Sequence, residues 1–160
     1  ILNSKILGAD EKKIIILHGF LGSLDNWVTF AKKLSNNGYE VHLIDQRNHG
    51  KSFHSDDFNY ELMVNDLYKY LYEKNINKTS ILGHSMGGKT AMLYSLMYPD
   101  TINKLIVVDI LPVNYNTNYD EIFEALLEID LKEIKSRNDF NIHLNKHFDD
   151  PNFILFLSKN

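Results

Sequence analysis

No cysteine occurs among the 160 residues of the chain. Disulfides, thiolate metal sites and a cysteine nucleophile are thereby excluded, and the usage fits a reducing, cytoplasmic compartment. Long apolar runs are missing too. No stretch approaches the ~20 residues needed to span a bilayer, so no membrane span is expected. Nor is there a surplus of basic charge. The 17 Lys and Arg stand against 21 Asp and Glu, a formal net charge of −4. That balance leaves nothing to neutralise phosphates, and no nucleic-acid partner is expected. The opening "ILNSKILGADEKK" has neither the apolar region nor the cleavage site of a secretory leader. It also lacks an initiator Met, so residues are expected to precede Ile1. Internal repeats and low-complexity segments are absent, and the length suffices for one domain with a real core.

What is present is an alternation of short β-rich runs with helical patterns. "KIIILH", Lys13 to His18, is a near-continuous apolar run, as expected of a strand buried on both faces. "GFLGS" follows as a loop. A helix is expected from near Asp25 to Asn36, with Gly38 as its stop. Tyr39–Ile44 reads as the next strand, followed by the loop "DQRNHGKSFHSDDFN". Asn59 can cap a helix over Tyr60–Lys74 with Met63, Leu67, Tyr70 and Leu71 as its apolar stripe. Thr79–Leu82 is a strand, Ser85–Tyr98 a helix ended by Pro99, and Leu105–Val108 a strand. Ile1–Leu7 adds an edge strand. This order predicts an α/β fold with a mostly parallel sheet and helices on both faces. From Asn118 onward the pattern changes to consecutive helices over Asp120–Ile129, Leu131–Arg137, Asp139–Phe148 and Pro151–Ser158. The expected organisation is a core over 1–114 and a helical cap or lid over 115–160.

Ligands bind at the carboxyl ends of strands in such sheets. Gly83-His84-Ser85-Met86-Gly87 lies at one of those ends. Glycines two positions either side of Ser85 permit a tight strand-to-helix turn that lifts the serine clear of the sheet. Gly87, Ala91 and Ser95 then form a small-residue stripe for close packing. With Gly and Ser each near ~7% of residues, a random chain of this length carries G-x-S-x-G about one time in twenty. The motif alone is weak, and its place between a predicted strand and a predicted helix is what gives it force. The N–H groups of Phe20 and Met86 can serve as the two donors that an acyl-transfer oxyanion needs. Leu21 and His84 complete the candidate substrate-contacting set, with His84 on the floor of the site.

The other polar residues read mainly as scaffolding. His18 is taken as a loop brace, since a base for Ser85 normally comes later in the chain. Arg47 can tie loops through backbone carbonyls and a carboxylate such as Asp45, and His49 braces the same loop. His42 is a core or edge residue and His54 a solvated one. His143 and His147 sit four apart and could suggest a metal pair. With no third ligand apparent, an exposed helix face is the reading, and no metal or cofactor is expected. Asp109 ends an apolar strand beside the Ser85 strand. Its position alone leaves open whether it orients a histidine or caps a turn.

"LHGFLGSLDNW", "DQRNHGKS", "GHSMGGKTAM" and "VVDILPVNY", in that order and spacing, resemble the α/β-hydrolase superfamily. The closer resemblance is to small bacterial acyl-esterases related to mitochondrial abhydrolase-domain proteins. It implies an α/β-hydrolase fold and a serine hydrolase of carboxylic esters or thioesters with short to medium acyl chains, without a cofactor. Carried over by motif, it implies Ser85 as nucleophile, Phe20 and Met86 as oxyanion donors, and Asp109 as the acid of the triad. Asn48 replaces the commoner glycine of the D-x-R-G-H-G-x-S pattern, so a local difference is expected there. The family's catalytic histidine follows the cap in a G-H context, and nothing in Asn118–Asn160 fits it. The expectation is therefore a chain that ends within the cap, lacking the C-terminal strands and leaving the strand that ends at Val108 as an exposed edge open to self-association. A noncatalytic binding module is the alternative. Dehalogenase and epoxide-hydrolase chemistry is disfavoured, because those relatives use Asp where Ser85 stands.

Overall fold

A computed structural model describes residues 2–115 and 119–159. Ile1, where the N-terminal strand was expected to begin, and Asn118, where the helical pattern sets in, lie outside the described residues. The chain divides into two compact units, Ile1–Pro112 and Val113–Asn160.

The first unit is built on a five-stranded sheet: β1 (Ser4–Leu7), β2 (Lys13–Leu17), β3 (Glu40–Ile44), β4 (Thr79–His84) and β5 (Ile102–Val108), in the order β1-β3-β2-β4-β5. Only β1 runs antiparallel to its neighbour. The apolar run in β2 supplies both faces, because successive side chains of a strand point to opposite sides. Ile15 and Leu17 join Ile44 and Ile81 under α2 (Tyr60–Glu73) and α3 (Met86–Met97), where Val64, Leu67, Ala91 and Tyr94 are buried. Ile14 and Ile16 join Val41, Leu43 and Leu82 on the other face, against Ala31 of α1 (Val28–Ser35). Helices thus cover both faces. β5 is an outer strand among the described residues, with Leu105 and Ile106 37% and 39% exposed.

The helix expected from Asp25 begins instead as a 3-10 turn, Leu24–Trp27, before α1. The tighter turn is closed by Asn26 N–H on Ser23 O at 3.1 Å, and Asn26 Oδ1 accepts in return from the Ser23 N–H at 2.7 Å. α2 starts where Asn59 caps it, its Oδ1 accepting from the Leu62 N–H at 2.9 Å.

Two buried polar hubs fix the loops at the carboxyl ends of β2 and β3. The first is His18. Its Nδ1 lies 2.8 Å from Gly19 O, and a carbonyl can only accept, so Nδ1 carries the hydrogen. Its Nε2 accepts from the Gln46 N–H at 3.1 Å. This is a neutral imidazole used on both sides, and burial lowers its pKa from 6.5 to about 4. The second hub is Asp45, whose carboxylate accepts from the N–H groups of Leu24 and Lys51 and from the Asn3 amide. Arg47 does not use Asp45. Its Nε donates to Asp66 Oδ2 at 2.6 Å and its Nη1 to Asp57 O at 2.7 Å. Asp45 is already saturated by its loop, whereas Asp66 sits on the same face of α2 as Met63 and Tyr70 and needs a cation there. Asn48 stands in the left-handed region, with φ 62°. Its side chain bonds both the N–H and the C=O of Ser55, which accounts for asparagine where glycine is commoner.

The second unit holds α4 (Asp120–Leu127), α5 (Arg137–Leu144) and α6 (Pro151–Lys159). The helix expected over Leu131–Arg137 does not form: residues 131–136 are turn and loop, and only Arg137 is helical, as the first residue of α5. Asp130 Oδ1 accepts from the Lys132 N–H and Asp139 Oδ2 from the Lys135 N–H. The Asp130 bond caps a single turn closed by Glu133 N–H on Asp130 O, whereas Asp139 takes the Lys135 N–H that a continuing helix would send back to Leu131 O. α5 begins instead at the cap Ser136. No helix among the described residues is long and apolar enough to cross a membrane.

Two outcomes follow for stability. Arg47 and Asp66 are only 7% and 10% exposed. Arg47→Leu leaves an unpaired buried carboxylate and lowers unfolding free energy in urea by about 3–5 kcal/mol, and Asp66→Leu on top recovers part of the loss. A loss under about 1 kcal/mol would show the pair to be dispensable. The His18 pKa is lower folded than unfolded, so the unfolded chain binds the extra proton first. Stability therefore falls as pH drops from 6.5 to about 4. His18→Gln flattens that decline in urea titrations across the window, and an unchanged slope would remove His18 as its source.

Candidate active site

β4 passes into α3 through a single residue, Ser85. Its backbone has φ 50° and ψ −117°, outside the regions that a serine favours. Such a residue costs of order 1–3 kcal/mol and is held only where its surroundings over-determine it. Here they do. A β-carbon at Gly83 would lie 2.2 Å from Gly87 O, and one at Gly87 would lie 2.5 Å from Leu17 O and 2.6 Å from His18 O. Both contacts are with backbone, so neither neighbour can rotate away. The Ser85 N–H donates to Val108 O at 3.0 Å, which ties the turn to β5.

Four further segments converge there. A β-carbon at Gly19 would sit 3.3 Å from Ser85 Cβ and 2.8 Å from His84 Nδ1, so the loop after β2 runs directly beside the serine. Phe20 follows Gly19 and sets its ring edge-on to His49, 5.8 Å between centroids. Leu21 adopts φ 56°, and its N–H donates to His49 Nε2 at 3.2 Å. His49 Nδ1 lies 2.8 Å from Arg47 O. That carbonyl fixes the tautomer, and burial lowers the pKa of His49. The third loop, after β3, thus braces the second.

Met86 is the first residue of α3 and is 7% exposed. The N–H groups of a helix's first turn have no partner within the helix and point toward its N-terminal end. Asp109 follows β5 directly, with φ 56°. Its side chain is 88% exposed, and its Oδ2 lies 3.9 Å from His84 Nε2. The fold therefore brings Ser85, Met86, Gly19-Phe20-Leu21, His84 and Asp109 to one end of the sheet. Trp27 belongs beside them, its ring 6.0 Å from that of His84. Sequence reasoning did not single it out, although it is the one tryptophan and ends the "GSLDNW" loop.

Three other histidines of this unit, His18, His42 and His49, are engaged elsewhere. His18 and His49 use both ring nitrogens on backbone groups. His42 is sandwiched between the Tyr70 hydroxyl and Glu40, with its pKa lowered by burial. Glu40 also pairs with Lys13. None of the three accepts from Ser85 Oγ among the described residues.

Comparison with known proteins identifies the family of the fold. The profile of the alpha/beta hydrolase fold family matches residues 12–150. Esterase YbfF of Escherichia coli is 36% identical over 151 residues, covering 94% of this chain and 59% of that protein. The sn-1-specific diacylglycerol lipase ABHD11 of Danio rerio is 41% identical over 123 residues, covering 75% of this chain and 39% of that protein. The solved structure of a marine microorganism esterase is 42% identical with a TM-score of 0.95, covering 99% of this chain and 63% of that one. The chain thus spans about half the length of the curated relatives it matches. A strained serine between two close-packed glycines, at the carboxyl end of a parallel sheet and within a profile match over most of the chain, leaves one assignment: the protein belongs to the alpha/beta hydrolase family, with relatives of the esterase and abhydrolase-domain type.

Proposed function

We propose that this chain carries the nucleophile, oxyanion donors and acid of a serine esterase that cleaves short- to medium-chain acyl esters or thioesters through an acyl-enzyme. The observation that carries the reading is the Ser85 turn. A non-glycine residue is held at φ 50° by backbone contacts that glycine alone permits at Gly83 and Gly87. Strain of that kind is retained where it aims a reacting group.

Ser85 Oγ attacks the acyl carbon, and its proton passes to an imidazole. Asp109, exposed at the end of β5, is suited to hold that imidazole in the correct tautomer and to stabilise its cation. The N–H groups of Phe20 and Met86 receive the oxyanion, one from each side of Ser85. The alkoxide or thiolate leaves with the proton, and water then releases the acyl group by the same steps in reverse. Leu21, His84 and Trp27 line the approach. His18, His42 and His49 are committed to structural bonds, so none of the three is that imidazole in this reading.

The same commitment favours a second reading, a binding module that keeps the pocket without turnover. Hydrolysis of p-nitrophenyl butyrate by the intact protein separates the two. The esterase reading predicts measurable turnover that Ser85→Ala reduces about 10⁴-fold or more, and that Asp109→Asn reduces by up to about 10⁴-fold with little change in KM. Absence of turnover on all short acyl esters and thioesters, with ligand binding indifferent to Ser85→Ala, contradicts it.

A further inference from the structure

We propose that Glu128, His143 and His147 form a binding site for one divalent transition-metal ion, with zinc the ion their donors fit best. The site lies within Val113–Asn160. The sequence offered a histidine pair without a third donor. The fold supplies that donor from the end of the preceding helix.

His143 lies in the last turn of α5. The chain then continues in turns, the N–H groups of His147 and Phe148 both donating to Leu144 O. The two imidazoles therefore stay on one side, 5.2 Å between ring centroids. Glu128 caps the carboxyl end of α4 and brings its Oε2 to 3.3 Å from His147 Nε2. One potential ligand atom from each of the three residues lies within 4.8 Å of the others. Two donors bound at 2.0–2.1 Å to a tetrahedral zinc stand about 3.3 Å apart, which is the spacing of the His147–Glu128 pair.

A second observation concerns the tautomer of His143. Its Nε2 lies 2.8 Å from Ala125 O. The carbonyl can only accept, so Nε2 bears the hydrogen and Nδ1 keeps its lone pair. A ligating imidazole anchored through its other nitrogen to a backbone carbonyl is the arrangement that orients metal-binding histidines. The partner carbonyl belongs to α4, the helix that Glu128 caps, so both ends of the site are referred to one element. His147 and Glu128 side chains are 23% and 63% exposed, which gives an ion access from solvent. Two imidazoles and a carboxylate form a donor set suited to zinc, and three protein ligands leave a fourth position for water.

The test is a calorimetric titration of the intact, tag-free protein, stripped of metal with EDTA, with zinc chloride. The expected result is one saturable equivalent. Glu128→Gln, at an exposed position, and His147→Ala are each expected to weaken binding by about tenfold or more, since even an outer-shell partner of a metal site is worth about 10–100-fold. Circular dichroism of each variant confirms the fold. An ordinary histidine–glutamate ion pair predicts otherwise. Absence of a saturable equivalent in the wild type, or a loss below tenfold in both folded variants, overturns the proposal.

Discussion

The approach of α3 to the sheet governs the rest of the site. Gly87 sits so close to β2 that an added β-carbon would overlap the carbonyl oxygens of Leu17 and His18. Gly83 meets Gly87 in the same way from the strand side. With both backbones in contact, the chain has one residue in which to turn from β4 into α3, and Ser85 absorbs the whole change in direction. Its unfavourable dihedrals are a consequence of that packing. The same closeness sets the first turn of α3 against the end of β2, where the Gly19-Phe20-Leu21 loop begins.

The loops around this turn are held by buried polar groups, and the ring nitrogens of His18, the carboxylate of Asp45 and the guanidinium of Arg47 all find partners, while Gln46 Oε1 is buried without one among the described residues. A neutral His18 bridges the ends of β2 and β3, Asp45 takes three donors, and Arg47 reaches across to Asp66 on α2. A buried group left without its partner costs the full desolvation penalty, so such networks fail as units. Rigidity at the rim bears on the proposed esterase chemistry. Backbone N–H donors stabilise developing charge only when they are already in place before reaction, and Phe20 and Leu21 are placed by His49, which is itself placed by Arg47.

Much of this was legible in the sequence for physical reasons. The run Ile14–Leu17 could be read as a strand covered on both faces because every position is apolar. The Asn59 cap and the Gly83–Gly87 spacing state their own geometry. The limits are equally physical. Arg47 ties a backbone carbonyl, that of Asp57, as expected, but its carboxylate is Asp66, brought near only by the packing of α2, in place of Asp45 close in sequence. Asp66 lies on the face of Met63 and Tyr70, and an acid inside an apolar stripe was the available signal. The expected helix over Leu131–Arg137 gives way to turn and loop over 131–136, and periodicity does not register a side chain such as Asp139 that captures a backbone donor. The meeting of Glu128 with His143 and His147 depends on how two helices pack, which no local pattern encodes.

The measurement that bears most directly on the account is covalent labelling of the intact protein with a fluorophosphonate, read by intact mass and peptide mapping. An activated serine at the Ser85 turn predicts one adduct, located on Ser85 and lost when the protein is unfolded before labelling. An adduct on another residue, or an unlabelled Ser85 in protein that still hydrolyses esters, would contradict it.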